Sequence, residues 1–179
     1  MFDPTIFDNL KVVIEGAVYD LDSVGVILVT NRSDQVELAT MSRYYAIQFR
    51  EQYSDGESMA EVQLFAETED LVAEIFEMED RFTGCRLKIR FDTSVINPEQ
   101  DCPQIKSLLE EIWENNPKIV QQITFTYEDE EEPQLYRNQI TLDFGRKINE
   151  QQIEDMGTFI DHVLHSLQRI NQLNQKEKD

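Results

Sequence analysis

The clearest pattern in the chain is alternation. Tyr45, Ile47 and Phe49 alternate with Tyr44, Gln48 and Arg50, and after Ser54-Asp55-Gly56 the residues Ala60, Val62, Leu64 and Ala66 alternate with Glu61, Gln63 and Glu67. Successive side chains on a strand point to opposite faces, so two such runs around an S-D-G turn predict a hairpin with one apolar face. Cys85, Leu87, Ile89 and Phe91 against Arg86, Lys88 and Arg90 predict a further half-buried strand. A second hairpin is predicted from Ile119, Ile123, Phe125 and Tyr127, through an acidic loop, to Tyr136, Ile140, Leu142 and Phe144, with Gly145 breaking the returning strand.

Between these runs the period changes to 3.6. Thr68 is placed to cap a helix carrying Leu71, Val72, Ile75, Phe76 and Phe82, with Gly84 as its stop. Asp101 and Gln104 form a D-x-x-Q box before Ile105, Leu108, Leu109, Ile112 and Trp113, and Asn115-Asn116-Pro117 ends that helix. The last helix has the best start signal. Asn149 caps it, Gln152 sits three residues on, and Ile148 can staple onto Ile153. Ile153, Ile160 and Leu167 then step by heptads, interleaved with Met156, Val163 and Ile170 and widened by Phe159, Leu164 and Leu173.

The first forty residues are less decided. Ile6, Phe7, Leu10, Val13, Ile14, Ala17, Val18 and Leu21 fit a helical stripe, and Asp3-Pro4 suits a helix start. Val12, Val13, Ile14, Val18 and Tyr19 are strand-formers, however, and Gly16 weakens a helix. The expected course is a short helical turn near Pro4 and a strand from about Leu10. A buried strand is expected over Val24 to Thr30, a turn over Asn31 to Asp34, and a short helical stretch from Ser33 through Leu38. The pattern as a whole predicts an α+β fold: a mainly antiparallel sheet built from hairpins, with about three amphipathic helices packed on one face. Residues 1–179 are read as a single domain, with a subdomain joint expected near Asn97 to Pro103.

Charge sharpens this outline. The chain has 36 acidic against 16 basic residues and a formal net charge of −20. Residues 1–80 hold 18 acids and 4 bases, and Glu128, Asp129, Glu130, Glu131 and Glu132 form one unbroken acidic run. Such a surface repels phosphate backbones and anionic membranes, so no direct nucleic-acid or membrane partner is expected. The longest apolar run, Val24 to Val29, is far short of the roughly 20 residues of a spanning helix. The opening MFDPTIFD lacks the basic and apolar regions of a secretory signal, and two lone cysteines, Cys85 and Cys102, fit a reducing compartment; the expected location is cytoplasmic.

Candidate chemistry is sparse. His162 and His165 stand at i and i+3, but the heptad phase puts both opposite the buried stripe. Asp20-Leu-Asp22 is a bare D-x-D, and Asp143-Phe-Gly145 matches the kinase triplet without its partner motifs. Neither cysteine has an evident helper base. The stripe Arg86, Lys88, Arg90 is expected to pair across strands with acids such as Glu61 and Glu67 rather than bind an anion. No catalytic residue, metal ligand or cofactor is therefore assigned. The leading expectation is a non-enzymatic interaction module (an adaptor, regulator or small acidic chaperone) that meets a basic protein partner through Glu128 to Glu132. The outline resembles that of small acidic α+β secretion chaperones, an analogy of architecture only. Two alternatives stand beside it: a metal-dependent enzyme or metal sensor using the acidic clusters or the histidines, and an acidic mimic of nucleic acid. The wide apolar stripe of the last helix also predicts a homodimer through that helix.

Overall fold

The structure, a computed structural model, describes residues 5–54, 56–79, 83–127 and 135–176. One six-stranded antiparallel sheet organises it. The strands are β1 (Ile27–Glu37), β2 (Ser42–Glu51), β3 (Met59–Ala66), β4 (Cys85–Val95), β5 (Lys118–Thr124) and β6 (Tyr136–Ile148), in the order β1-β2-β3-β4-β6-β5. Among the described residues four α-helices accompany them, close to the expected number of about three: α1 (Thr5–Ser23), α2 (Thr68–Ile75), α3 (Pro98–Ile112) and α4 (Met156–Lys176).

The register explains how one face became the core. Tyr45, Ile47 and Phe49 sit opposite Leu64, Val62 and Ala60, which in turn sit opposite Leu87, Ile89 and Phe91. Ile89 and Phe91 then meet Leu142 and Ile140. Every one of these side chains is buried, forming one apolar band across four strands. α1 crosses β1 to β3, α4 lies over β2 to β4, and α3 covers β4 and β5, with α4 touching both other helices. The alternation and the single helix-covered face are as the sequence predicts.

The N-terminal segment differs from expectation. It is a 19-residue helix, not a turn followed by a strand. Phe7, Leu10, Ile14 and Val18 fall on one stripe and are all fully buried. Each such side chain contributes roughly 1.5–3 kcal/mol on burial. Strand preference and the glycine penalty amount to about 1 kcal/mol or less per residue, so the stripe wins. Asp3-Pro4, the expected start signal, lies outside the described residues.

β1 also departs from the reading. It is one strand running through Asn31 to Asp34, where a turn was expected, and no helix follows Ser33. It is an edge strand with only Ile27 buried, not a buried one. Its polar residues are explained by α1 beneath it. Arg32 pairs with Glu15, and Asp34 with Lys11 at 2.9 Å and Arg43 at 3.3 Å. Ionic contacts to a helix replace the apolar alternation that normally marks a strand.

Three boundaries moved for local reasons. α2 is short: Phe76 is its C-cap and Glu77 adopts φ 49°. Gly84 is not its stop but lies at the start of β4 with φ 137°, where a Cβ would overlap the Ile148 carbonyl. α3 begins at Pro98, and Asp101 reaches backwards, its Oδ2 accepting from the Ile96 and Asn97 amides at 3.1 and 2.8 Å. The segment expected as a joint is thus a helix start, and the sheet runs past it because β4 pairs with β3 on one side and β6 on the other. Gly145 does not end β6. With φ 65° it sits in a bulge, its amide donating to Asp143 Oδ1 at 2.9 Å, and the strand continues to Ile148.

The Asn149–Gln152 box is present, with the Asn149 amide donating to Gln152 Oε1 at 2.8 Å, although it opens a 3-10 turn (Glu150–Asp155) that leads into α4. Along α4, Met156, Ile160, Val163, Leu167 and Ile170 are buried, as the heptad steps required. No helix among the described residues is long and apolar enough to cross a membrane.

Gly16 lies inside α1 with open space where a Cβ would stand. Gly16→Ala should therefore stabilise the protein by about 0.5–1 kcal/mol, read as a raised urea midpoint at unchanged slope. Destabilisation would be incompatible with a helix there.

Candidate functional site

The motifs singled out in the sequence are mostly structural. Asp22 Oδ1 accepts the Val29 amide at 3.1 Å, tying the end of α1 to β1, so half of the D-x-D is a connector. Asp143 pairs with Lys88 at 3.0 Å and accepts the Gly145 amide, so the D-F-G triplet builds the bulge. His162 and His165 are both exposed, as their phase required. His162 Nδ1 is 2.8 Å from the Thr158 carbonyl, and its ring stands 5.5 Å from that of Trp113. Among the described residues, no group of three or more His, Cys, Asp or Glu side chains is arranged to hold a metal.

The sheet face opposite the helices is a polar network. Arg90 bonds Glu61 at 3.3 Å and Asp92 at 3.1 Å, Arg137 reaches the other oxygen of Asp92 at 3.1 Å, and Arg86 meets Glu67 at 3.4 Å. The basic stripe is thereby paired across strands with the acids expected. Asp92 is only 4% exposed and accepts from Gln139 as well, so its charge is compensated where it lies.

Both thiols are free and neither is activated. Burial pushes the Cys85 thiol far above its ordinary value, and the carboxylates of Asp70 and Glu74 push it the same way. Burial, then Asp101, raises Cys102. A nucleophilic cysteine needs the opposite surroundings.

Exposed apolar side chains occur at several places, Leu38, Tyr53 and Phe76 among them, and one such group that includes aromatics lies at one end of the sheet. β5 stops at Thr124, one register step past Ile123, and the chain leaves with Phe125 and Tyr127 in solvent. Phe125 packs edge-on to Tyr136 at 5.8 Å. Leu135 and Ile96 flank the Tyr136–Val95 register pair, and both are exposed. Ile96, Ile123, Phe125, Tyr127 and Leu135 thus border the end of β4, β5 and β6, with Ile123 and Phe125 on the Tyr136 face and Ile96 and Leu135 one residue out of phase with it. Glu128, Asp129, Glu130, Glu131 and Glu132 follow Tyr127 in sequence and lie outside the described residues. The apolar members of this surface were not singled out from the sequence, because Ile123, Phe125 and Tyr127 read there as the inward side of a longer strand. The signal that marks them is the uncharged run Ile119 to Tyr127 leading directly into five acids.

No family model, no curated protein and no solved structure matches the chain.

The Cys85 shift has a consequence for stability. As pH rises past the ordinary thiol range, about 8.5, the unfolded chain ionises Cys85 while the folded chain keeps it neutral. The unfolded state then binds fewer protons, so stability falls with rising pH. Urea midpoints should drop between pH 8 and 10, as estimated from that ~8.5 reference value, and Cys85→Ala should flatten part of the drop. A Cys85 that reacts with a thiol reagent in the folded protein as fast as in urea would contradict its burial.

Proposed function

We propose that the chain is a non-enzymatic interaction module of the cytoplasm that docks a protein partner at the β5–β6 end of the sheet. The observation that carries this reading is the exposure of Ile123, Phe125 and Tyr127 at the end of β5, followed directly in sequence by the acidic run 128–132 and bordered by exposed Leu135. Exposed aromatic side chains supply desolvation energy when a partner buries them. A neighbouring single-sign charge steers encounter and selects partners of opposite sign. The fitting partner is a segment whose apolar residues are bordered by Lys and Arg.

The other expectations draw less support. The described acids of residues 1–80 are spread over α1, β1, β2, β3, α2 and the loops between them, and Asp8, Glu15, Asp34, Glu61, Glu67 and Asp70 are ion-paired within the fold. That is unlike a row of free carboxylates at phosphate spacing. A homodimer through α4 has little to join, since its apolar residues are buried, with Phe159 and Leu173 half-buried against the core.

Two variants test the reading. One replaces Phe125, Tyr127 and Leu135 by Ser; the other neutralises residues 128–132 as Glu128→Gln, Asp129→Asn, Glu130→Gln, Glu131→Gln and Glu132→Gln. Quantitative capture from lysate should recover one stoichiometric partner on the natural chain. Recovery should fall by about tenfold or more on each variant, and with added salt on the natural chain. A partner held equally by all three proteins, or no stoichiometric partner at all, would refute the site.

A further inference from the structure

A second feature stands apart from that surface. Between the end of α3, the Gly145 bulge of β6 and the start of α4 lies a cleft of about 320 Å³. Its floor is Leu87, Ile148 and Met156, all buried. Its walls are three aromatic rings: Trp113 stands 5.4 Å from Phe144 and 5.6 Å from Phe159, and the two phenylalanines are 5.8 Å apart. The indole nitrogen is already satisfied, donating to Ser166 Oγ at 2.9 Å, so the ring offers the cleft only its apolar surface.

The rim is different. Arg146 and Asp155 both line the opening and both are exposed. Neither forms an ion pair with the other or with any described residue, whereas Arg86, Lys88, Arg90 and Arg137 on the neighbouring strands are all paired. The rim is also held in place. Gly145, next to Arg146, and the consecutive residues Glu114 and Asn115, between Trp113 and Asn116, all have φ between 51° and 65°. Gln152 is fixed by its bond from the Asn149 amide.

We infer that this cleft binds a small zwitterion with an apolar body: a free α-amino acid carrying an aromatic or large aliphatic side chain. A cleft of about 320 Å³ has room for a molecule of that size. The aromatic walls accept the side chain. The planar guanidinium of Arg146 suits a carboxylate, and Asp155 takes the ammonium group. A ligand with a single charge would leave one rim residue facing nothing or facing its own sign. A zwitterion also carries no net charge against the −20 of the protein, so an anionic group can approach without opposing the whole field.

Trp113 is the only tryptophan in the chain, so its emission reports directly on the cleft. Titration with L-phenylalanine should shift or quench that emission and release calorimetric heat. Phenylpropionate and phenethylamine, which each keep one charge, should bind about tenfold more weakly. Arg146→Met should erase the advantage of L-phenylalanine over phenethylamine, and Asp155→Asn its advantage over phenylpropionate. Both side chains are exposed, so both variants should melt with the natural chain. Equal binding of the three compounds would overturn the zwitterion, and the absence of any emission change or heat with L-phenylalanine and L-leucine would overturn the site.

Discussion

The fold depends on one constraint: four neighbouring strands keep a strict two-residue alternation in matched register. Because Ile47, Val62, Ile89 and Leu142 lie in one row, the apolar band is continuous and three helices can bury against it. A slip of one residue in any strand would turn its apolar set toward Arg90, Asp92 and Glu61 on the far side. The same alternation that builds the core therefore also builds the charged network, and the two faces fix each other's register.

That network shows how a chain of net charge −20 stays folded. The few cations are not scattered. Lys11, Arg32 and Arg43 sit between α1 and the β1–β2 edge, while Arg86, Lys88, Arg90 and Arg137 sit along the central strands. A single exposed pair is worth about 0–1 kcal/mol. Their placement matters more than their number, since each group of cations lies where acids crowd. Asp92 is the clearest case, buried among two arginines and a glutamine.

Legibility followed how far each element's signal is local. The hairpin β2–β3, strand β4 and the Asn149 cap could be read because alternation and capping are properties of a few adjacent residues. α1 and β1 could not, since each is decided by the other. Val12 and Tyr19 are strand-formers exposed on a helix, and Arg32 and Asp34 interrupt a strand because α1 supplies Glu15 and Lys11 beneath them. Gly84 and Gly145 looked like stops, but their left-handed φ angles serve a close backbone approach and a bulge. Of the candidate site, the acidic run was visible as composition. Its apolar neighbours were not, because an exposed Phe125 and an inward one look the same in sequence. The Trp113 cleft was hidden altogether, since its walls come from α3, β6 and α4, which only the fold brings together.

The two edges of the sheet are protected differently. An open strand edge presents unpaired backbone groups, and proteins ordinarily blunt it with charge, a bulge or a covering element. β1 has all three: Arg32, Asp34 and Glu37 along it, a bulge between Val29 and Asn31, and α1 across one face. β5 has one charged residue, Lys118, in seven, and α3 lies across one of its faces, the Gln121 side-chain amide donating to the Cys102 carbonyl at 2.8 Å. This nearly uncharged strand continues directly into Phe125 and Tyr127. The β1 side is tied by ion pairs yet also exposes Leu28, Val36 and Leu38, so the two edges differ in charge more than in apolar exposure. The proposed partner would meet the less charged β5 edge, and the like charge of the acidic run after Tyr127 in sequence disfavours association between copies.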